Sequence, residues 1–243
     1  MFLEGYDQHS RWFLSSTVLS LVLADQAPFQ TLKTHGLILD PSGAKLSKSV
    51  NSEDQQFDPT DFIDGSLKAD GTRKFGYGLD VMRAWCAFKD TDRNVQVSQI
   101  EAVNKEVKLY RDVLKVILHH LQGFDPSQAM LGPSLFKDLT FVDGMMMVKL
   151  LDFSNRVTDA FDKFDLAAVY QMTQKFLVND VSDFYLDFTK YRRRRLASPS
   201  HGTLGVLYHL ANTLVVTTAP ILCLTSQEAF EHLPLADRPP TVF

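Results

Sequence analysis

Two lysines three residues apart, Lys45 and Lys48, stand in the stretch Lys45-Leu46-Ser47-Lys48-Ser49, shortly after the apolar run Leu37-Ile38-Leu39. Small hydroxyl residues between the cations suit a mobile loop. A polyanion such as a triphosphate needs point charges of this kind while charge moves onto its leaving group. The same five residues also suit a solvated surface loop. A second group is Glu4-Gly5-Tyr6-Asp7-Gln8, followed by Trp12-Phe13. Glycine lets a ligand approach the backbone, and the flanking carboxylates can accept hydrogen bonds from a ribose diol or an amine. An aromatic ring one helical turn later can wall an apolar pocket. A polar helix N-terminus would explain the same residues. His35 is read as either a turn residue or a nucleotide contact. Arg192-Arg193-Arg194-Arg195 is the one dense basic run. It fits RNA backbone phosphates, and it equally fits a solvated helix end whose cations meet the C-terminal dipole.

Positioning these residues takes two kinds of architecture. In the first third, Phe13 to Ala24 reads as a helix, Thr34 to Leu39 as a short buried strand, and 40–58 and 64–78 as polar or glycine-containing loops, the second leading into a helix over Leu79 to Phe88. After about Ser98 the pattern changes. Ile100, Val103, Val107, Tyr110, Leu114, Ile117 and Leu121 recur at three and four residues, as on one face of a helix. Gly123 to Pro133 breaks it. Further helices are expected from about Val142 to Phe164, from Leu166 towards Arg195, over Leu204 to Thr218, and over Ser226 to His232 with Ser226 as N-cap. The organisation is therefore 1–97 α/β and 98–243 all-helical, with the helix lengths of an antiparallel bundle.

The 243 residues are 45% hydrophobic and 22% charged, ordinary for a globular chain, and 18 Phe supply core volume. A net charge of −4 argues against a generally basic nucleic-acid binder, though a few lysines and arginines suffice to hold phosphates locally. Cys86 and Cys223 are too far apart for a CxxC metal pair and are expected to be small buried hydrophobes in a reducing compartment. The seven His show no metal-ligand spacing, so no structural metal is expected. Met145-Met146-Met147 reads as core filling. The apolar stretch Leu204 to Leu224 is interrupted by His209, Asn212 and Pro220, which suits a buried helix and a turn rather than a membrane span.

In this order the motifs resemble those of the class I aminoacyl-tRNA synthetases, and within them the isoleucyl group. That group carries a Glu-Gly-x-Asp-Gln stretch leading to Trp-Phe, a His-Gly strand and a Lys-Met-Ser-Lys-Ser loop. This chain has Glu4-Gly5-Tyr6-Asp7-Gln8, Trp12-Phe13, His35-Gly36 and Lys45-Leu46-Ser47-Lys48-Ser49. The valyl relatives have Thr-Gly-x-Asp-Ile at the first site, so Glu4 and Gln8 favour isoleucine. Gly78-Leu79-Asp80-Val81-Met82-Arg83 is similar to the family's Gly-Ala-Asp-x-x-Arg helix. Tyr110-Arg111, Ser182-Asp183-Phe184-Tyr185 and Ala219-Pro220-Ile221-Leu222 are similar to its helical part.

The resemblance implies an α/β nucleotide-binding, Rossmann-like fragment over 1–97, the C-terminal part of the catalytic domain, and an all-α anticodon-binding bundle over 98–243. It implies ATP with Mg2+ as substrate and no protein-bound metal. Its partners would be isoleucine and tRNA-Ile, with a monomer expected and no membrane. Glu4, Gly5, Asp7 and Gln8 would face the isoleucyl-adenylate, Trp12 would border the amino-acid pocket, and His35, Ser47 and Ser49 would belong to the nucleotide site. Lys48, assisted by Lys45, would stabilise the pyrophosphate, and Arg192 to Arg195 would meet tRNA. The flavour is closest to the mitochondrial form of animals, which implies the mitochondrial matrix, with the cytoplasm as the alternative.

Two departures stand out. Ser10-Arg11 replaces Arg-Gly, or Gly-Gly in some members, before Trp-Phe, and Ser226-Gln227-Glu228 replaces Ala-Glu-Glu near the end. The family's His-x-Gly-His sequence and its editing domain have no match. The chain is therefore expected to be truncated and inactive in adenylate formation alone, the alternatives being a catalytically dead tRNA-binding remnant or a valyl-type synthetase.

Overall fold

The computed structural model describes residues 1–39, 43, 45, 58–67, 71–88, 95–129, 138–190, 200–235 and 239–243. They form two compact units, Met1–Gly76 with Lys89–Glu101, and Tyr77–Phe88 with Ala102–Phe243.

The first unit holds three two-stranded ladders among its described residues. Strand β1 (Phe2–Gly5) runs parallel to β2 (Leu32–His35), with Phe2 opposite Leu32 and Gly5 opposite His35. Parallel neighbours need a crossover, here supplied by α1 (Trp12–Ala24). Strand β3 (Ile38–Leu39) pairs parallel with β6 (Val95–Gln96), and β4 (Gly65–Leu67) pairs antiparallel with β5 (Arg73–Phe75). The apolar run expected as one buried strand over 34–39 is thus divided between two ladders, and its residues are half-buried or exposed. Helix α2 (Pro59–Ile63) opens where Asp58 accepts the Thr60 amide at 2.8 Å and proline takes the first turn. These hydrogen bonds hold the exposed Asp58 carboxyl below its usual pKa. Gly65 is obligatory: its φ is +87°, and a Cβ there would run into the Lys74 carbonyl. Helix α1 buries Phe13 alone, while Leu14, Val18, Leu19, Leu21, Val22 and Leu23 are exposed.

The second unit is helical. Helix α3 (Leu79–Phe88) buries Val81, Ala84, Trp85 and Ala87. Helix α4 (Ile100–His120) buries the stripe at 103, 107, 110, 114 and 117 that the sequence spacing predicts. Helix α5 (Phe141–Asp162) starts with a capping box in which Thr140 and Asp143 satisfy each other's amides, and it buries Met146, Leu150, Phe153 and Val157. Of the methionine run only Met146 is fully buried. Helix α6 (Leu166–Lys175), capped by Asp165, continues as a π-helix over Phe176–Leu186. Helix α7 (His201–Thr218) is the central element, burying Val206, Leu207, Leu210, Ala211, Leu214 and Val215. A side chain at Gly202 would strike the Asp138 carbonyl, which explains that residue. Helix α8 (Cys223–Glu231) closes the order.

Two expectations are corrected here. Ser226 is not an N-cap: α8 begins three residues earlier, and Ser226 lies inside it, fully buried against Thr218 at 3.0 Å. The cysteines are not buried hydrophobes, since Cys86 is exposed and Cys223 half-buried. No described helix is long and apolar enough to cross a membrane.

Candidate functional site

The β1–β2 pairing brings the first motif and His35 together. Gly5 and His35 are register partners at the C-terminal ends of two parallel strands, where open α/β sheets bind ligands. Gly5 is buried, and a Cβ on it would sit 2.6 Å from Asp7 Oδ1, so the missing side chain makes room for that carboxylate. The turn Tyr6–Ser10 carries Asp7 and Gln8 away from the strand end. Asp7 Oδ2 then lies 3.8 Å from Lys45 Nζ, the described end of the lysine loop. Lys45 is exposed and Asp7 half-buried, so the pair adds little to stability and the ammonium can exchange this anion for another. His35 Nδ1 lies 2.8 Å from the Gly36 carbonyl, and since a carbonyl only accepts, Nδ1 carries the proton of that contact, the tautomer in which Nε2 of a neutral ring is the acceptor. Lys45 also bridges to Leu39 through the backbone.

Other predicted residues are placed differently. Glu4 is exposed on β1 and reaches its own neighbour's amide, Gly5 N, at a long 3.4 Å. Gln8 is half-buried, and its carbonyl accepts the Arg11 amide at 3.2 Å. Trp12 stacks on Phe2 with ring centroids 4.8 Å apart and is 45% exposed. Leu46, Ser47, Lys48 and Ser49 lie outside the described residues, as do Arg192, Arg193, Arg194 and Arg195. Among the described residues no cluster of three or more His, Cys, Asp or Glu could hold a metal ion.

The helical unit adds features that the sequence reading missed. A cleft of about 570 Å³ between α5 and α6 is edged by Lys149, Arg156, Lys175, Asp152 and Asp180. Lys149 pairs with Asp180 at 2.6 Å, and Phe153 stacks on Phe176 at 4.3 Å beneath. These cations are dispersed along helices, so no run of basic residues announced them. Buried polar groups knit the helices. The Asp143 carboxylate is fully buried and accepts from Tyr185 Oη at 2.7 Å and from Thr140 Oγ1 at 2.6 Å. Tyr110 Oη reaches Thr218 Oγ1 at 2.6 Å, and Tyr170 Oη donates to Glu106 at 3.0 Å. Burial raises the pKa of both tyrosines strongly, and the Glu106 charge adds to the rise at Tyr170.

Comparison with known proteins finds matches at both ends of the chain. Residues 1–98 match the family described as tRNA synthetases class I (I, L, M and V), and residues 143–241 match the anticodon-binding domain of tRNA ligases. The chain is 32% identical to isoleucine–tRNA ligase of Haemophilus influenzae, over 96% of this chain and 24% of that protein. It is 32% identical to the Symbiobacterium thermophilum enzyme over 99% of this chain and 25% of the other. It is 29% identical to the mitochondrial isoleucine–tRNA ligase of Mus musculus, over 100% and 24%. The chain thus spans about a quarter of the length of these relatives. Its fold matches LeuRS of Agrobacterium radiobacter K84, solved as a ternary complex with tRNA and LeuAMS, with a TM-score of 0.68 and 17% identity, over 97% of this chain and 28% of that one. With isoleucine–tRNA ligases aligned along nearly the whole length, residues 1–98 are a class I tRNA synthetase region and residues 143–241 an anticodon-binding region of tRNA ligases.

Proposed function

We propose that this chain is the lysine-loop and anticodon-binding part of an isoleucine–tRNA ligase, with residues 1–97 completing a Rossmann-like nucleotide fold and 98–243 gripping tRNA-Ile. The observation that carries the catalytic half is the register pairing of Gly5 with His35, with Asp7 and Lys45 facing each other beside it. The mitochondrial relative and the motif flavour support the mitochondrial matrix as its place.

In this reading the isoleucine carboxylate attacks the α-phosphate of ATP, supplied as its magnesium complex, and pyrophosphate leaves. A terminal ribose hydroxyl of tRNA-Ile then attacks the adenylate carbonyl, forming the isoleucyl ester and releasing AMP. Such chemistry is mostly placement and neutralised charge. Glu4, Asp7 and Gln8 supply acceptors for the isoleucyl amine and the ribose hydroxyls, and Gly5 lets the adenylate come against the backbone. His35 Nε2 accepts a hydroxyl proton at the nucleotide, and Trp12 borders the amino-acid side chain. Lys45 leaves the Asp7 carboxylate for the triphosphate, and Lys48 meets the charge that grows on the departing pyrophosphate, with Ser47 and Ser49 keeping the loop short-chained and polar. Arg192 to Arg195 contact tRNA phosphates.

The reading is tested by ATP–pyrophosphate exchange in an enzyme of the relatives' full length carrying these residues. Exchange should depend on isoleucine and not be supported by valine to the same extent. Equal exchange with both amino acids, or none with isoleucine, would overturn it.

A further inference from the structure

Helix α3 holds the α7–α8 corner at both of its helix ends. The residue at the N-cap of α8, Leu222, has no side chain able to cap it. Asp80, 7% exposed, takes that role from a distance: its Oδ2 accepts the Thr225 amide at 2.6 Å and its Oδ1 the Leu224 amide at 3.1 Å. One turn along α3, Arg83 donates through Nε to the Ile221 carbonyl at 3.0 Å and through Nη2 to the Pro220 carbonyl at 2.8 Å. The anion thus meets the positive end of α8, and the cation meets the carbonyls of the corner that follows α7. Both groups complete backbone partners that the helices themselves leave open. Behind the corner, Tyr110, Thr218 and Ser226 form a buried hydroxyl chain at 2.6 and 3.0 Å, so the corner has little freedom to yield. The family match over 1–98 counts α3 with the catalytic region, yet its contacts place 77–88 in the helical unit.

We propose that Asp80 and Arg83 are positioning residues that weld α3 to the α7–α8 corner, so that α3 is anchored in the RNA-binding bundle and shares its stability. A ligand that stabilises the bundle then stabilises α3 by the same factor, because linkage acts on the whole cooperative body. This rests on the reading that the helical unit takes tRNA, but the weld itself can be tested without RNA.

The chain has two tryptophans, Trp12 and Trp85, so Trp12→Phe leaves Trp85 on α3 as the single reporter. In urea, Trp85 fluorescence and far-ultraviolet helix signal should unfold together. Asp80→Asn and Arg83→Gln should each raise the opening constant of α3 by about 5–30-fold, separating Trp85 to lower urea, and Arg83→Lys should recover most of the loss. An early Trp85 transition in the parent, or coincident transitions in both variants, overturns the proposal. Should the variants fail to fold, native-state hydrogen exchange of the parent decides. Amides of α3 must open as rarely as those of α7 and α8, and opening tenfold more often contradicts the weld. The isolated anticodon stem–loop of tRNA-Ile supplies the second arm. It should raise both transitions equally in the parent and only the helix signal in Arg83→Gln. A stem–loop that binds the parent but raises the helix signal alone refutes the coupling. Failure of the stem–loop to bind instead strikes the tRNA reading, and the urea result still decides the weld.

Discussion

Lys48 and Asp7 divide the chemistry of the proposed adenylate site between a cation and an anion. In the proposed role the ammonium of Lys48 meets charge that exists fully only in the transition state, so Lys48→Ala in an enzyme of the relatives' full length should lower the exchange rate by about 10²–10³-fold and leave the isoleucine KM nearly unchanged. A raised KM at constant kcat would assign Lys48 to ground-state binding instead. Gly5 is a second test. Its φ of −59° and ψ of 148° are open to alanine, so Gly5→Ala should fold normally. The new Cβ would turn Asp7 away, and affinity for a non-hydrolysable isoleucyl-adenylate analogue should fall about tenfold, the worth of roughly one charged hydrogen bond. Unchanged affinity by calorimetry would remove Asp7 from the site. Residue types and spacing single these positions out in the sequence as candidates. What spacing did not convey was the pairing of Gly5 with His35 or the resting contact of Lys45 with Asp7, because both depend on a strand register and a loop path that no local pattern encodes.

At the scale of elements, the amphipathic stripes of α4 and α5 were legible because burial on one face imposes their period directly. The start of α8 was not. Its cap comes from Asp80, 145 residues away, so the polar Ser226 suggested a local cap that the fold does not use. The Asp143 hub is equally non-local, and it gives a stability prediction. Tyr185→Phe leaves a buried carboxylate with one acceptor less satisfied and should cost about 1–3 kcal/mol by urea unfolding. A change near zero would show the hub to be dispensable. Tyr110 and Tyr170 set the alkaline limit. Their pKa values are raised in the fold, while an unfolded tyrosine ionises near pH ~10. Below that pH both states are protonated and the tyrosines add no slope. Above it the unfolded chain loses protons that the folded chain keeps, so stability must fall as pH rises through the unfolded value. Replacing both by Phe should flatten that alkaline slope, and an unaltered slope would place the linkage elsewhere.

At the scale of the whole molecule, the change of texture near Ser98 separates α/β from helical sequence, whereas the compact units exchange α3 across that line. Periodicity sees where element types change, and only tertiary contacts show which body a helix joins. A fragment of residues 77–243 is therefore expected to unfold at a higher temperature and more sharply than 98–243, which lacks Asp80, Arg83 and the buried Trp85. Equal melting by calorimetry would return the boundary to the sequence break. The proposed tRNA role belongs to this scale as well, since cations such as Lys149, Arg156 and Lys175 are spread over the helices and would act together only if one RNA spans them. The most direct measurement of the account is equilibrium binding of the 243-residue chain to a tRNA-Ile transcript, followed by fluorescence anisotropy across a salt series. Binding should be saturable and salt-dependent, should weaken when the tRNA-Ile anticodon is replaced, and should show a shallower salt slope when Arg192 to Arg195 become Ser. Binding that is absent, or indifferent to the anticodon, would contradict the account.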